Sequence, residues 1–234
     1  MTAFIQTLTA FPLFGVVLTL LAFVIGQQLY LRLGKRAYLQ PVVAGMILVI
    51  AVLLVLGISY RDYYRSADPL NLMLGPATVA LAVPLYQNMR RIRALFLPIF
   101  LTLICGSFIT VGLAVGILWA FGSESTTLIS MTTKSITTPI AMAVSEKLGG
   151  LPSLSAVLVM FTGALGAVVG VPLMKRIGVR DEAVKGIALG LTAHAIGTAR
   201  ALEESEECGA FSALAMGITG VMTAIALPLI FALI

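Results

Sequence analysis

Residues 125–138 read STTLISMTTKSITT: nine serines and threonines in fourteen positions, with Lys134 among them and Pro139 directly after. Hydroxyls both donate and accept, and an ammonium supplies a fixed charge, so the group suits a small hydroxylated or keto acid. Pro139 fits the first turn of a helix and pushes Thr138 toward extended backbone. A half-helix over 140–145 would then aim its unpaired N–H groups and positive dipole end back at the bend, and such an end attracts anions. Lys134 has two readings. Its stem can snorkel to water from the membrane edge, or its ammonium can neutralise a substrate carboxylate, since an ionisable residue within a span usually faces a pathway.

A second stretch, 186–200, reads GIALGLTAHAIGTAR and holds the chain's single histidine. His194 and Thr198 are four apart and share a helical face, while Gly190 and Gly197 permit a break or a close helix contact. His194 is either a hydrogen-bonded packing residue or a group that couples protons or binds substrate, since an unperturbed imidazole titrates near about pH 6.5. A third stretch, 69–89, carries Gly75-Pro76 and Pro84, both helix breakers, ahead of Gln87 and Asn88. The candidate binding set is therefore Lys134, Ser135, Thr137, Thr138, Pro139, His194, Gly197 and Thr198, joined by Thr78 and Asn88. The run Glu203, Glu204, Glu206, Glu207 reads as a solvated loop and lacks partners for a metal. A single histidine excludes HExxH zinc chemistry and no GxSxG elbow is present. A Ser107–His194 pair is a weak signal, so the expectation is a protein that is not an enzyme and uses no cofactor.

These residues must be positioned by a membrane. Of 234 residues 59% are hydrophobic and 11% charged, far from the roughly 25% charged expected of a soluble domain. Six stretches carry no charged residue or histidine: 11–31, 41–58, 69–89, 96–121, 148–174 and 208–234. Each reaches the roughly 18 apolar residues needed to cross hydrocarbon. They are too long and too uniformly apolar for barrel strands. Residues 1–10 hold no lysine or arginine, unlike the basic start of a signal peptide, so a first helix is expected from Phe11. Cys105 and Cys208 fall within or at the edge of apolar spans and read as buried thiols. The net charge of +5 resides in short clusters between spans, at Arg32, Lys35 and Arg36, at Arg90, Arg91 and Arg93, and at Lys175, Arg176, Arg180 and Lys185. That is the pattern of cytoplasmic loops rather than of a nucleic-acid surface.

The expected fold is an all-α polytopic helical bundle, one transmembrane domain over 1–234. Its apolar blocks repeat: 41–58 overlays 156–173, 69–89 overlays 184–204, and 96–119 overlays 211–234. Matching loops carry opposite charge bias, the mark of inverted repeats, here 1–121 and 122–234. Counting lysine and arginine favours a re-entrant segment over 122–147, seven full crossings and an external N-terminus. In that topology Arg36, Arg91 and Arg176 are cytoplasmic and Glu204 is external.

The stretches 134–142 (KSITTPIAM) and 193–199 (AHAIGTA), with the 149–152 turn (GGLP), closely resemble motifs of the CidB/LrgB family. The resemblance covers essentially the whole chain. It implies a multi-pass protein of the bacterial inner membrane, in contact with lipid, forming homo-oligomers or pairing with a small partner of the CidA/LrgA type. It further implies transport of small carboxylates such as glycolate, glycerate or pyruvate, or, alternatively, holin- or antiholin-like control of murein hydrolases and lysis.

Overall fold

A computed structural model of the chain describes residues 11–34 and 37–233; for Ala37, Asn71, Leu74 and Thr78 the backbone alone is described. The expectations placed on residues 1–10, on Lys35 and Arg36, and on the Thr78 side chain lie outside this set. The described residues are helical and contain no strand, as expected of an all-α polytopic membrane protein. Among the described residues four helices are long and apolar enough to cross a membrane, Phe14–Arg32, Phe96–Ala120, Pro152–Arg176 and Glu206–Ala232, and Pro41–Leu56 is a shorter apolar helix. The chain forms two compact units that divide between Ala82 and Val83. That is a different line from the 121/122 boundary of the expected repeats, which concerns symmetry rather than compactness.

In the first unit, α1 (Phe14–Arg32) and α2 (Pro41–Leu56) pack through Ala22, Val49, Leu53 and Ile58. Gln40 caps α2 by accepting the Val43 N–H at 3.2 Å, with Pro41 in the first turn, where its missing N–H leaves nothing unsatisfied. Ser59 caps α3 (Tyr60–Ala67), which folds back on α1: the Gly15 N–H donates to Ser66 Oγ at 2.9 Å, and Thr19 meets the Tyr63 hydroxyl at 2.7 Å. A Cβ on Gly15 would lie 2.6 Å from Ala67 N, so glycine is required there. Next, α4 (Pro69–Ala80) runs straight through Pro76, correcting the expected break at Gly75-Pro76. The chain turns instead at Leu81, before α5 (Ala82–Gln87) crosses the unit boundary.

The second unit has a repeating plan. The short α6 (Met89–Ala94) leads into α7 (Phe96–Ala120), which is followed by α8 (Ser125–Thr132), a bend, and α9 (Thr138–Leu148). Helix α10 (Pro152–Arg176) equals α7 in its 25 residues and is followed by α11 (Glu182–Glu204), before α12 (Glu206–Ala232) ends the unit. Both intervening segments double back on themselves. In the first, the Leu151 N–H donates to Ser130 Oγ at 2.8 Å and Ser155 Oγ donates to the Ser130 carbonyl at 3.2 Å, so the chain has returned to the level of Ser130 by residue 151. The segment expected to be re-entrant over 122–147 thus contains a chain reversal. Gly149 ends α9 in the left-handed region at φ 84°, which a side chain would strain.

The second of these segments overturns an expectation. A continuous 23-residue helix would separate its ends by about 34 Å. Yet Ser205 Oγ donates to Glu182 Oε2 at 3.3 Å. The reversal is at His194, whose backbone (φ 43°, ψ −131°) is non-helical. Helix α11 is thus a hairpin with legs over 182–193 and 195–204, not one of seven full crossings. Consequently Glu204 lies at the same end as Lys175, to which it is paired at 2.8 Å, and not at the opposite face from Arg176. The acidic run is no solvated loop either. The Glu204 side chain is 14% exposed and bonds to both Lys175 and Arg200, and Glu207 pairs with Arg91.

Glycines make the packing possible. Both legs of α11 lie on α12, with Gly190 against the Ser212 carbonyl and Gly209 against Leu202. Lipid gives helices no hydrophobic reason to associate, so such close approach carries the stability. Gly190→Ala, which drives a methyl into a backbone carbonyl, is expected to destabilise the protein by about 1–3 kcal/mol. Gly217→Ala, where no atom lies within 4 Å of the added Cβ, is expected to be neutral or mildly stabilising; thermal unfolding in detergent separates the two. Single cysteines at 175 and 204, in a background lacking Cys105 and Cys208, are expected to react with a membrane-impermeant maleimide from the same side. Labelling from opposite sides would contradict the hairpin.

Candidate functional site

Each hairpin exposes its bend to the interior of the second unit. At the first bend, α8 stops at Thr132 because its hydroxyls turn inward. Ser130 Oγ donates to the Thr126 carbonyl at 2.7 Å, Thr132 Oγ1 to Ile129 at 2.6 Å and Thr133 Oγ1 to Ser130 at 3.0 Å. These bonds satisfy polar groups that lipid could not. Thr137 then takes the N-cap position of α9 with extended backbone, but its side chain accepts none of the first-turn N–H groups. A helix start left without its side-chain cap keeps donors and positive dipole available.

Lys134 stands at this bend, 8% exposed, and its Nζ donates to Ser135 Oγ at 2.9 Å. No carboxylate pairs with it among the described residues. A buried ammonium held by one hydroxyl favours an anion beside it. Ser135 is buried, Thr137 and Thr138 are half-buried, and Pro139 is exposed.

At the second bend, His194 Nε2 lies 3.0 Å from the Val159 carbonyl in α10. A carbonyl only accepts, so Nε2 carries the proton and Nδ1 is left for another partner. The ring fits because residue 163 is glycine: a Cβ there would lie 2.7 Å from His194 Cε1. Gly197 lets the legs close, since its Cβ would lie 2.7 Å from that of Ala193. Thr198 Oγ1 donates to the His194 carbonyl at 2.9 Å and meets Ser212 Oγ at 2.9 Å, which ties the second leg to α12.

Val159 joins the two bends. Its side chain packs with Ile136 and Ala141 of the first hairpin, and its carbonyl receives His194 of the second. Helix α12 supplies a further wall, with Thr198 at Ser212 and Met216, and Ile140 at Gly220. Lys134, Ser135, Thr137, Thr138, His194, Gly197 and Thr198 are therefore assembled around one locus. Asn88 is not. It precedes α6, donates its amide to the Pro84 carbonyl at 2.9 Å, and stands near Arg91 at the end where the ion pairs gather. Sequence reasoning missed Val159, Gly163 and Ser212. A polar stripe at 212 and 219 and the glycines at 163, 166 and 170 were the available signals.

At the basic end, Asp181 caps α11 by accepting the Val184 N–H at 3.2 Å and pairs with Arg91 at 2.6 Å. The backbone N–H of Val184, aided by Arg91 and opposed by partial burial, holds its carboxyl below the usual carboxylate range. Its stabilising contribution is present at neutral pH and is lost as acid protonates it.

Residues 19–233 match the sequence profile of the LrgB-like family. The chain is 33% identical over 195 residues to the holin-like protein CidB of Staphylococcus epidermidis, covering 83% of this chain and 85% of that one. It is 36% identical to the uncharacterised protein YxaC of Bacillus subtilis, over 92% and 93% of the two chains. With the antiholin-like protein LrgB of Bacillus subtilis the identity is 31%, over 97% and 98%. No solved structure matches. The chain, a multi-pass membrane protein, belongs to the LrgB-like family.

Proposed function

We propose that the protein is a holin- or antiholin-like protein of the bacterial cytoplasmic membrane that works with a small membrane partner of the CidA/LrgA type. The observation that carries this reading is the naming of relatives on both sides, holin-like CidB and antiholin-like LrgB, aligned over most of each chain. In this role it modulates murein hydrolase activity and lysis. Expression in a host lacking its own homologues, with and without the small partner, is expected to shift the onset of autolysis. Unchanged lysis in both cases would count against it.

A second reading is favoured by Lys134, which has no carboxylate partner among the described residues and stands where two half-helix bends meet: transport of small monocarboxylates such as glycolate, glycerate or pyruvate. Lys134 supplies the charge, the uncapped start of α9 adds donors, and Thr137, Thr138 and Thr198 surround the rest of the molecule. Two interrupted segments converging on one locus suit a transporter site, whereas a simple lesion-forming protein has no use for them. Proteoliposomes loaded with a fluorescent dye separate the two readings. Saturable uptake of labelled acid with the dye retained supports transport, and dye leakage without uptake supports the lytic reading. Lys134→Met keeps the length and removes the charge, so binding is expected to weaken by about 2–5 kcal/mol, as for losing one partner of a buried charge pair. His194→Gln keeps a hydrogen-bond donor for Val159 but cannot titrate. If the imidazole couples protons, the variant flattens the pH profile of uptake more than it changes affinity; an unaltered profile assigns His194 to packing alone.

A further inference from the structure

Hydroxyls inside membrane helices ordinarily fall back on a carbonyl one turn earlier. This protein does so repeatedly: Thr19 on Gly15, Ser130 on Thr126, Thr192 on Ala188 and Thr198 on His194. Ser107 and Ser145 break the habit, and so does Thr219 in α12. It is 2% exposed, and its Oγ1 has no hydrogen-bond partner among the described residues. A buried hydroxyl in that state is costly to leave unmade.

Its surroundings say what it faces. Ser212, Met216 and Thr219 follow the i, i+4, i+7 spacing and share one face of α12. The first two meet Thr198 just past the second bend, at 2.9 and 3.8 Å. Gly220, the next residue, abuts the first turn of α9, since a Cβ there would lie 3.3 Å from Ile140 Cδ1. Thr219 therefore stands about one turn beyond the Thr198 contact and beside the start of α9, in the wall of the locus that holds Lys134.

We propose that Thr219 is a ligand-contacting, specificity-determining residue, whose hydroxyl pairs with the hydroxyl or carbonyl oxygen that a small carboxylate carries beside its charged group. The inference rests on the small-monocarboxylate reading above. Lys134 and Ser135 answer the carboxylate, but a second oxygen on the same molecule needs its own partner. Thr198 is already committed to the His194 carbonyl and to Ser212, whereas Thr219 is uncommitted. A site built to hydrogen-bond such an oxygen rejects an analogue lacking it, because its own buried group is then left unpaired.

Isothermal titration of the purified full-length protein in detergent with glycolate and with acetate tests this. Thr219→Val is nearly isosteric and removes an unpaired hydroxyl, so the fold is expected to persist, and Thr219→Ala reads the same way should valine unfold it. The expected result is a roughly tenfold loss of glycolate affinity in Thr219→Val, with acetate changed less than about twofold and Thr219→Ser close to the wild type. Equal glycolate affinity in wild type and Thr219→Val, or equal losses for both acids, overturns the assignment while leaving the carboxylate reading standing. A wild-type protein that binds neither acid overturns the carboxylate reading and the assignment with it.

Discussion

The hydrogen bond between His194 Nε2 and the Val159 carbonyl is the contact on which the second unit turns. Hydrocarbon tolerates non-helical backbone only where protein surrounds it, and His194, at φ 43°, is the one non-glycine residue with positive φ among those described. Such a conformation costs on the order of 1–3 kcal/mol and persists only when its surroundings over-determine it. Here the determinants are the ring bond to α10, the bare backbone of Gly163 beneath the ring, and the Thr198 hydroxyl on the His194 carbonyl. Because Val159 also packs on Ile136 and Ala141, the bond that fixes one bend sets the position of the other.

Small residues make that arrangement affordable. Gly163, Gly166 and Gly170 present one face of α10 to His194, Ala193 and Leu189, while Gly186 and Gly190 present α11 to α12. The outward faces are left to lipid: Phe108, Leu113, Val157, Phe161, Val221 and Ile225 are all exposed. The apolar side chains that would form the core of a soluble protein here form its solvent-facing surface. The interior combines apolar side chains such as Leu103, Leu189 and Phe211 with the glycines, alanines and hydroxyls that allow close approach.

Much of this was legible in the sequence, and the reason for what was not is physical. The bend at 133–137 announced itself because a run of hydroxyls around a lysine cannot face lipid, and Pro139 marked where a helix resumes. The reversal at His194 did not, because 182–204 has the length and much of the apolar character of a crossing segment. One residue performs the reversal, without proline, and the partners that hold it are distant in sequence: Val159, Gly163 and the Glu182–Ser205 contact. Proline misled in the opposite direction at Pro76, since α4 absorbs the lost hydrogen bond and continues. The chain's symmetry was sought between long blocks, whereas the second unit pairs a 25-residue helix and hairpin with another 25-residue helix and hairpin.

The two hairpins of the second unit are fastened by different chemistry. The mouth of α11 is ionic: Glu204 is gripped by Lys175 and Arg200, Glu182 by Lys185 and Ser205, and Asp181 and Glu207 by Arg91. The first hairpin is tied to the start of α10 by neutral hydrogen bonds, with the Leu151 N–H and the Ser155 hydroxyl both on Ser130. Several of the ionic groups are themselves buried, Lys185 and Arg200 among them, and removing one partner of such a pair strands the other at a cost of several kcal/mol. Exposed members such as Arg91 and Lys175 answer instead to salt, which screens them over about 10 Å at moderate ionic strength. The contacts that hold the ends of α11 together thus depend on charge and pH, while those of Ser130 do not. Lys134, which pairs with no carboxylate among the described residues, stands at the first bend, so the site's cation belongs to the hairpin that neutral hydrogen bonds fasten.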